Sequence, residues 1–190
     1  MNNRPNTQKE VHDELNKCRD IFSKKLKDYG TSWRIMRPAS ITDQIYIKAR
    51  RIRSFEDKGE FKIDESISGE YQAIINYCII ALILLEMASD SPITEDKALE
   101  PSLALDLYDK YSKQLLCLLE AKNHDYDEAW RHMRISSFTD IILQKLLRTK
   151  EIESNHGRTI ISEGTDANYM DIANYALFAL IKLNEQNSTN

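Results

Sequence analysis

DYDEAWRHMRISSFTDIILQKLLR, running from Asp125 to Arg148, occurs in this chain a second time, 97 residues earlier, as DYGTSWRIMRPASITDQIYIKARR from Asp28 to Arg51. Twelve of the 24 paired positions are identical: Asp-Tyr, Trp-Arg, Met-Arg, Ser, Thr-Asp, Ile, Lys and Arg. Average composition alone would give about one or two matches. The chain is an internal duplication, and every other reading follows from that. Further on, at an offset of 98, YQAIINYCIIALI (71–83) returns as YMDIANYALFALI (169–181), with seven of 13 positions identical. Gly59 and Glu65 return in the same way as Gly157 and Glu163. One module therefore occurs twice, as residues 1–92 and 93–190, joined near Ser89–Pro101. What both copies keep is expected to serve the fold. What one copy alone keeps is a candidate for function.

A three-helix half of this size could barely bury its own core. The two modules are therefore expected to pack as one body with approximate twofold symmetry. A net charge of −4 supplies no global basic field for nucleic acid. The basic run Lys48–Arg53 reads either as a solvated helix face or as a local anion site. Cys18, Cys78 and Cys117 form no paired spacing and read as reduced packing residues of a cytoplasmic protein. The polar N-terminus has no apolar signal region. The most hydrophobic run, Ala73–Leu85, is 13 residues long and interrupted by Asn76, which suits a buried core helix rather than a membrane span.

Apolar residues recur at helical spacing, and only five glycines are present, so the fold class is all-α. Helices are expected at about Thr7–Lys27, Ser40–Ser54 and Asp64–Ala88, and again at Ser102–Asn123, Ser137–Lys150 and Thr165–Glu185. Residues 1–6 and 187–190 are expected to be disordered. Ser40–Asp43 and Ser137–Asp140 both read as capping boxes, with hydroxyl at the N-cap and carboxylate three residues on.

Several polar residues stand where chemistry could use them. Lys48 falls on the apolar stripe Ile41, Ile45, Ile52, and Lys145 falls behind Phe138 and Ile142. A lysine there needs a carboxylate or an anionic ligand, unless its stem carries the charge to solvent. Asn76 and Asn174 are corresponding amides on the last helix of each module. In module two Asp171 lies one turn before Asn174, with Glu163 upstream, offering oxygen ligands suited to Mg²⁺. Copy one has Ala73 in place of Asp171, whereas Glu70 stands where copy two has Asn168. Tyr126, Trp130 and Arg131 put aromatic faces beside a guanidinium, either to stack a base and hold phosphate or to lock the segment onto the core.

The repeated DY-x3-W-R-x-M-R…S-x-T-D…K…R pattern, followed by E…NY, resembles the nucleotide modification associated domain 1 family. That group often occurs as tandem copies and is distantly similar to all-α, MazG-like nucleotide pyrophosphatases. The resemblance implies a pseudo-twofold, MazG-like helical bundle. It also implies a nucleotide-binding protein, with Mg²⁺-dependent pyrophosphohydrolysis of a nucleoside triphosphate as its enzymatic form. Under that reading Glu163 and Asp171 carry catalysis, and Asp140, Glu163, Asp171 and Glu70 supply metal ligands. Lys145 and Arg148, with Asn174, Tyr126, Trp130, Arg131, Lys48 and Arg51, would hold the substrate. The middle helices carry no E-x-x-E, and Asn168-Tyr-Met-Asp171 only approximates the E-x-x-D of those enzymes. The alternative is a non-catalytic helical binding or scaffold module. A nucleotide or other phosphate-bearing small molecule is the expected partner, a homodimer is left open, and neither a membrane nor nucleic acid is expected.

Overall fold

The computed structural model describes residues 6–59, 66–90, 99–161 and 163–189. Six helices account for most of them: α1 (Thr7–Tyr29), α2 (Pro38–Lys58), α3 (Ile67–Asp90), α4 (Pro101–Tyr126), α5 (Ile135–Ser154) and α6 (Thr165–Thr189). A short 3₁₀ turn precedes the middle helix of each module, Ser32–Ile35 in the first and Ala129–His132 in the second, and each carries the repeated tryptophan. No strand occurs among the described residues. The fold is all-α and duplicated, as the sequence predicts.

Local chemistry sets the helix ends. Asn6 caps α1, its side chain accepting from the Lys9 amide at 3.1 Å, so it is ordered where disorder is expected. Proline occupies the first position of α2 and of α4, where its fixed φ and missing N–H cost nothing. The expected capping boxes do not form. α2 and α5 start three residues earlier than N-cap serines would require, because the extended Arg37 and Arg134 are their N-caps and neither makes a side-chain cap bond. α6 runs to Thr189, past the expected end at Glu185 and through residues expected to be disordered. Residues 1–5 and 190, the expected start of the third helix at Asp64, and Glu65 lie outside the described residues.

Within each module the middle helix packs on the last, α2 on α3 and α5 on α6, while α3 packs on α6 and α2 on α5 across the modules. These four form the core, and α1 and α4 lie over α3 and α6. Ile67–Ala88 in α3 is long and apolar enough to cross a membrane by length and composition. Here its faces are taken by the other helices, as expected of a core helix that is apolar all round. Ile74, Ile79 and Ile83 are withdrawn from water entirely, each contributing about 2 kcal/mol of burial. Cys18 and Cys78 are packed inside, and burial, reinforced by nearby Glu14, pushes the Cys18 thiol up to about 12. Cys117 departs from the expectation and is exposed.

The two modules are cross-bonded symmetrically. Thr139 on α5 donates to Glu56 of module one at 2.8 Å and accepts from the Tyr71 hydroxyl on α3 at 2.8 Å. The corresponding Thr42 on α2 donates to Glu153 of module two at 2.7 Å, with the Tyr169 hydroxyl of α6 2.6 Å away. Asp43 and Asp140, read from sequence as caps, instead join the modules: Asp43 meets Lys150 at 2.7 Å and Asp140 meets Arg53 at 3.0 Å.

Two outcomes follow from this shared core. Residues 1–92 expressed alone would leave the α6-facing side of α3 in water, so no cooperative melt is expected by circular dichroism; a sharply melting monomer would contradict the shared core. Thr139→Val should lower the stability of the full chain by about 1–3 kcal/mol in urea, because the buried Tyr71 hydroxyl and Glu56 both lose a partner.

Candidate functional site

The two repeated lysines are both paired. Lys145 Nζ lies 2.7 Å from Asp171 Oδ2. Lys48 Nζ lies 3.3 Å from Glu70 Oε2, while Arg51 donates to Oε1 of the same carboxylate at 2.8 Å. The corresponding lysines thus find carboxylates at different positions. Glu70 sits one turn before Ala73, whereas Asp171 occupies the equivalent of Ala73 itself, and the longer glutamate reaches what the aspartate meets from nearer by. Asp171 is also held by Lys122 of α4. Burial works against its charge, but the hydrogen bonds from Lys122 and Lys145 outweigh that and hold its pKa below the usual aspartate range.

Beside this pair lies a cavity of about 390 Å³. Its polar end is Lys122, Asn123, Asp171 and Asn174; its apolar wall is built from Trp130, Met133, Tyr175 and Phe178, with Tyr126 at the rim. Trp130 stacks on Phe178 with ring centroids 4.3 Å apart, and its indole N–H donates to Asn123 at 2.8 Å. The Arg131 guanidinium covers the indole at 4.4 Å.

Asn174 is the exceptional group. Its side chain is only 3 % exposed, and neither its amide nitrogen nor its amide oxygen has a protein partner. In module one the equivalent Asn76 is fully tied: it donates to the Cys18 carbonyl at 3.1 Å and accepts from the Tyr108 hydroxyl at 2.7 Å. Along the repeat Tyr108 of α4 corresponds to Val11 of α1, which has no hydroxyl to give. A buried amide left unpaired costs about 1–3 kcal/mol, which a ligand with a matching edge would recover.

The turn that places Trp130 is also specific to module two. Asp127 and Glu128 both take positive φ, 46° and 55°, where module one has Gly30 at the position of Asp127. Left-handed backbone is costly for residues with a Cβ and persists only where neighbours hold it. Here Glu128 is anchored by Thr7, by Asn123 at 3.1 Å and by Arg131 at 2.7 Å. Burial opposes its charge, yet these bonds keep its pKa below the glutamate range.

Other expected site residues lie elsewhere. Arg148 is exposed on α5 and does not line the cavity. Arg131 is committed to Glu10, Glu128 and Glu185, so it clamps α1, the turn and α6 rather than awaiting phosphate. Lys48 and Arg51 neutralise Glu70 in module one. The expected metal set is not assembled: Asp140 pairs with Arg53, Glu70 with Lys48 and Arg51, and Asp171 with Lys122 and Lys145, while exposed Glu163 borders a neighbouring groove. Among the described residues no three carboxylate, histidine or cysteine groups come together to hold a metal ion. The four expected carboxylates are thus not gathered into one protein-only metal site.

The sequence matches the family described as nucleotide modification associated domain 1 twice, over residues 25–85 and 122–183. The chain belongs to this family. Both matches span the tryptophan turn, the middle helix and most of the last helix, so a family unit coincides with what the duplication repeats. No curated protein matches the chain, and no solved structure does. Neither comparison bears out the expected likeness to MazG-like enzymes.

Lys122, Asn123, Tyr175 and Phe178 were not singled out by sequence reasoning. The signal available was the contrast between copies: Asn123 corresponds to Leu26, and Phe178 to Ile80. The Asp171 cluster also sets a pH dependence. A carboxylate with a depressed folded pKa contributes stability above its unfolded value, about 3.9, and loses it as pH falls through the lower folded value. Lys145→Met should thus be less stable than the parent at pH 6, by about 1–3 kcal/mol, and the gap should narrow in denaturant melts as pH falls toward 2.

Proposed function

We propose that this chain binds a nucleotide in the module-two cavity, without Mg²⁺-dependent hydrolysis. The observation that carries this reading is Asn174, a buried amide with donor and acceptor both unpaired on the wall of an aromatic cavity. Side-by-side donor and acceptor are what the edge of a nucleobase presents, and an asparagine amide can pair with such an edge twice. Trp130, Phe178 and Tyr175 supply flat surfaces for the ring, and stacking on such groups is worth about 1–3 kcal/mol per base. Lys122 puts a cation at the polar end. Membership of a nucleotide-associated family supports the same ligand class, and a cytoplasmic setting would supply it.

Hydrolysis is left out because the carboxylates that would hold Mg²⁺ are each neutralised by lysine or arginine or stand apart. A scaffold reading has one observation in its favour: most polar core groups already satisfy one another, as the Thr42 and Thr139 clusters do.

Thermal-shift measurement against a nucleotide panel separates the two, because a ligand selective for the folded state raises its melting temperature. Asn174→Leu makes the test sharp. It should abolish the shift while leaving the unliganded protein as stable as the parent or more so, since an unpaired buried amide is removed. Asn76→Leu should instead destabilise by about 1–3 kcal/mol, because the Tyr108 hydroxyl loses its acceptor. An Asn174→Leu protein that folds and still responds to nucleotides would remove this site from consideration.

A further inference from the structure

We infer that the ligand of the module-two cavity is a nucleoside monophosphate rather than a triphosphate. This inference rests on the nucleotide reading above and narrows it.

Size is the first argument. Small-molecule sites commonly span about 300–1,000 Å³. At about 390 Å³ this cavity is near the lower bound, which favours the smaller members of the nucleotide class.

Charge is the second. At the polar end, Lys122 and Lys145 bring two ammonium groups to the single carboxylate of Asp171, a local excess of one positive charge. One phosphate group placed against Lys122 uses that excess and leaves Asp171 its bond to Lys145. A triphosphate brings up to four negative charges, and its outer phosphates must go past Lys122. The space there is a second groove of about 410 Å³, which shares Lys122 and Asp171 with the cavity. The other acidic side chains along that groove are Glu163 and Asp166. A polyphosphate tail would therefore run against like charge at short range, which costs rather than contributes. Mg²⁺ relieves such repulsion when a free carboxylate holds it beside the phosphates, and Asp171, which borders both spaces, is already paired with Lys122 and Lys145.

The test is calorimetric titration of the intact chain with the common ribonucleosides, their 5′-monophosphates and their 5′-triphosphates, each with and without Mg²⁺. For the preferred base, the monophosphate is expected to bind at least about tenfold more tightly than both the nucleoside and the triphosphate, with no gain from Mg²⁺. Lys122→Gln should erase the advantage of monophosphate over nucleoside while leaving the nucleoside affinity within about twofold. Lys122 is partly exposed and Lys145 still pairs Asp171, so this variant is expected to fold. A triphosphate that binds more tightly than the monophosphate, with or without Mg²⁺, overturns the inference while the nucleotide reading stands. Equal affinity for nucleoside and monophosphate overturns it as well. No binding by any of the three classes removes the nucleotide reading and this inference together.

Discussion

The structure depends on hydroxyl groups that each module lends to the other. Thr42 and Thr139 sit on the middle helices, fully buried, and each bonds a glutamate and a tyrosine of the opposite module. A threonine in a helix ordinarily turns its hydroxyl back to a carbonyl of the preceding turn. Thr42 does reach the Pro38 carbonyl, at 3.3 Å, but its shorter contacts cross the interface. Because the bonded groups are buried, neither module could be drawn away without leaving polar atoms unpaired in an apolar setting. The apolar faces of α3 and α6 supply most of the burial; the threonine clusters fix their register.

Within that symmetric frame, the two ends of the molecule are chemically unequal. Asn76 is a clamp. It ties α3 to α1 through the Cys18 carbonyl and to α4 through Tyr108, whose ring stacks on Phe22 at 4.6 Å. Asn174 holds nothing. The Trp33 indole N–H of module one also lacks a partner, with Leu26 standing where Asn123 serves Trp130 in module two. The repeated asparagine is thus tied at one end of the bundle and left without a protein partner at the other, where it lines a cavity. A strained turn at Asp127 and Glu128 and a stacked tryptophan accompany the cavity end, consistent with backbone strain collecting near functional sites.

Much of this was legible in the sequence, for identifiable reasons. The duplication, the all-helical class and the ion pairing of Lys48 and Lys145 follow from periodicity and from the cost of an unpaired buried ammonium. The capping boxes misled because serine followed by aspartate three residues on is a local pattern, whereas Arg37-Pro38 begins the helix earlier and frees Asp43 for Lys150. The expected metal ligands raise a different point. Glu70, Asp140 and Asp171 are good oxygen donors in isolation, but which cations face them is a tertiary fact. The unpaired amide at Asn174 was half visible. The partner is absent because Val11 stands at the repeat position of Tyr108, 163 residues from Asn174 in the sequence, a link only the packing of α1 and α4 reveals.

Fusing the two copies into one polypeptide has a consequence for how such a protein can change. A dimer of identical chains must carry each substitution twice, so a mutation that opens one pocket opens both and weakens both ends of the core. Here the valine and the tyrosine at one repeat position are encoded separately. The cost of an unfilled cavity falls on a single end while its mate remains a solid support. The tether also keeps the two halves at a fixed effective concentration, so dilution does not separate them. Specialisation in this fold is thus a matter of asymmetry between halves that a symmetric assembly could not express.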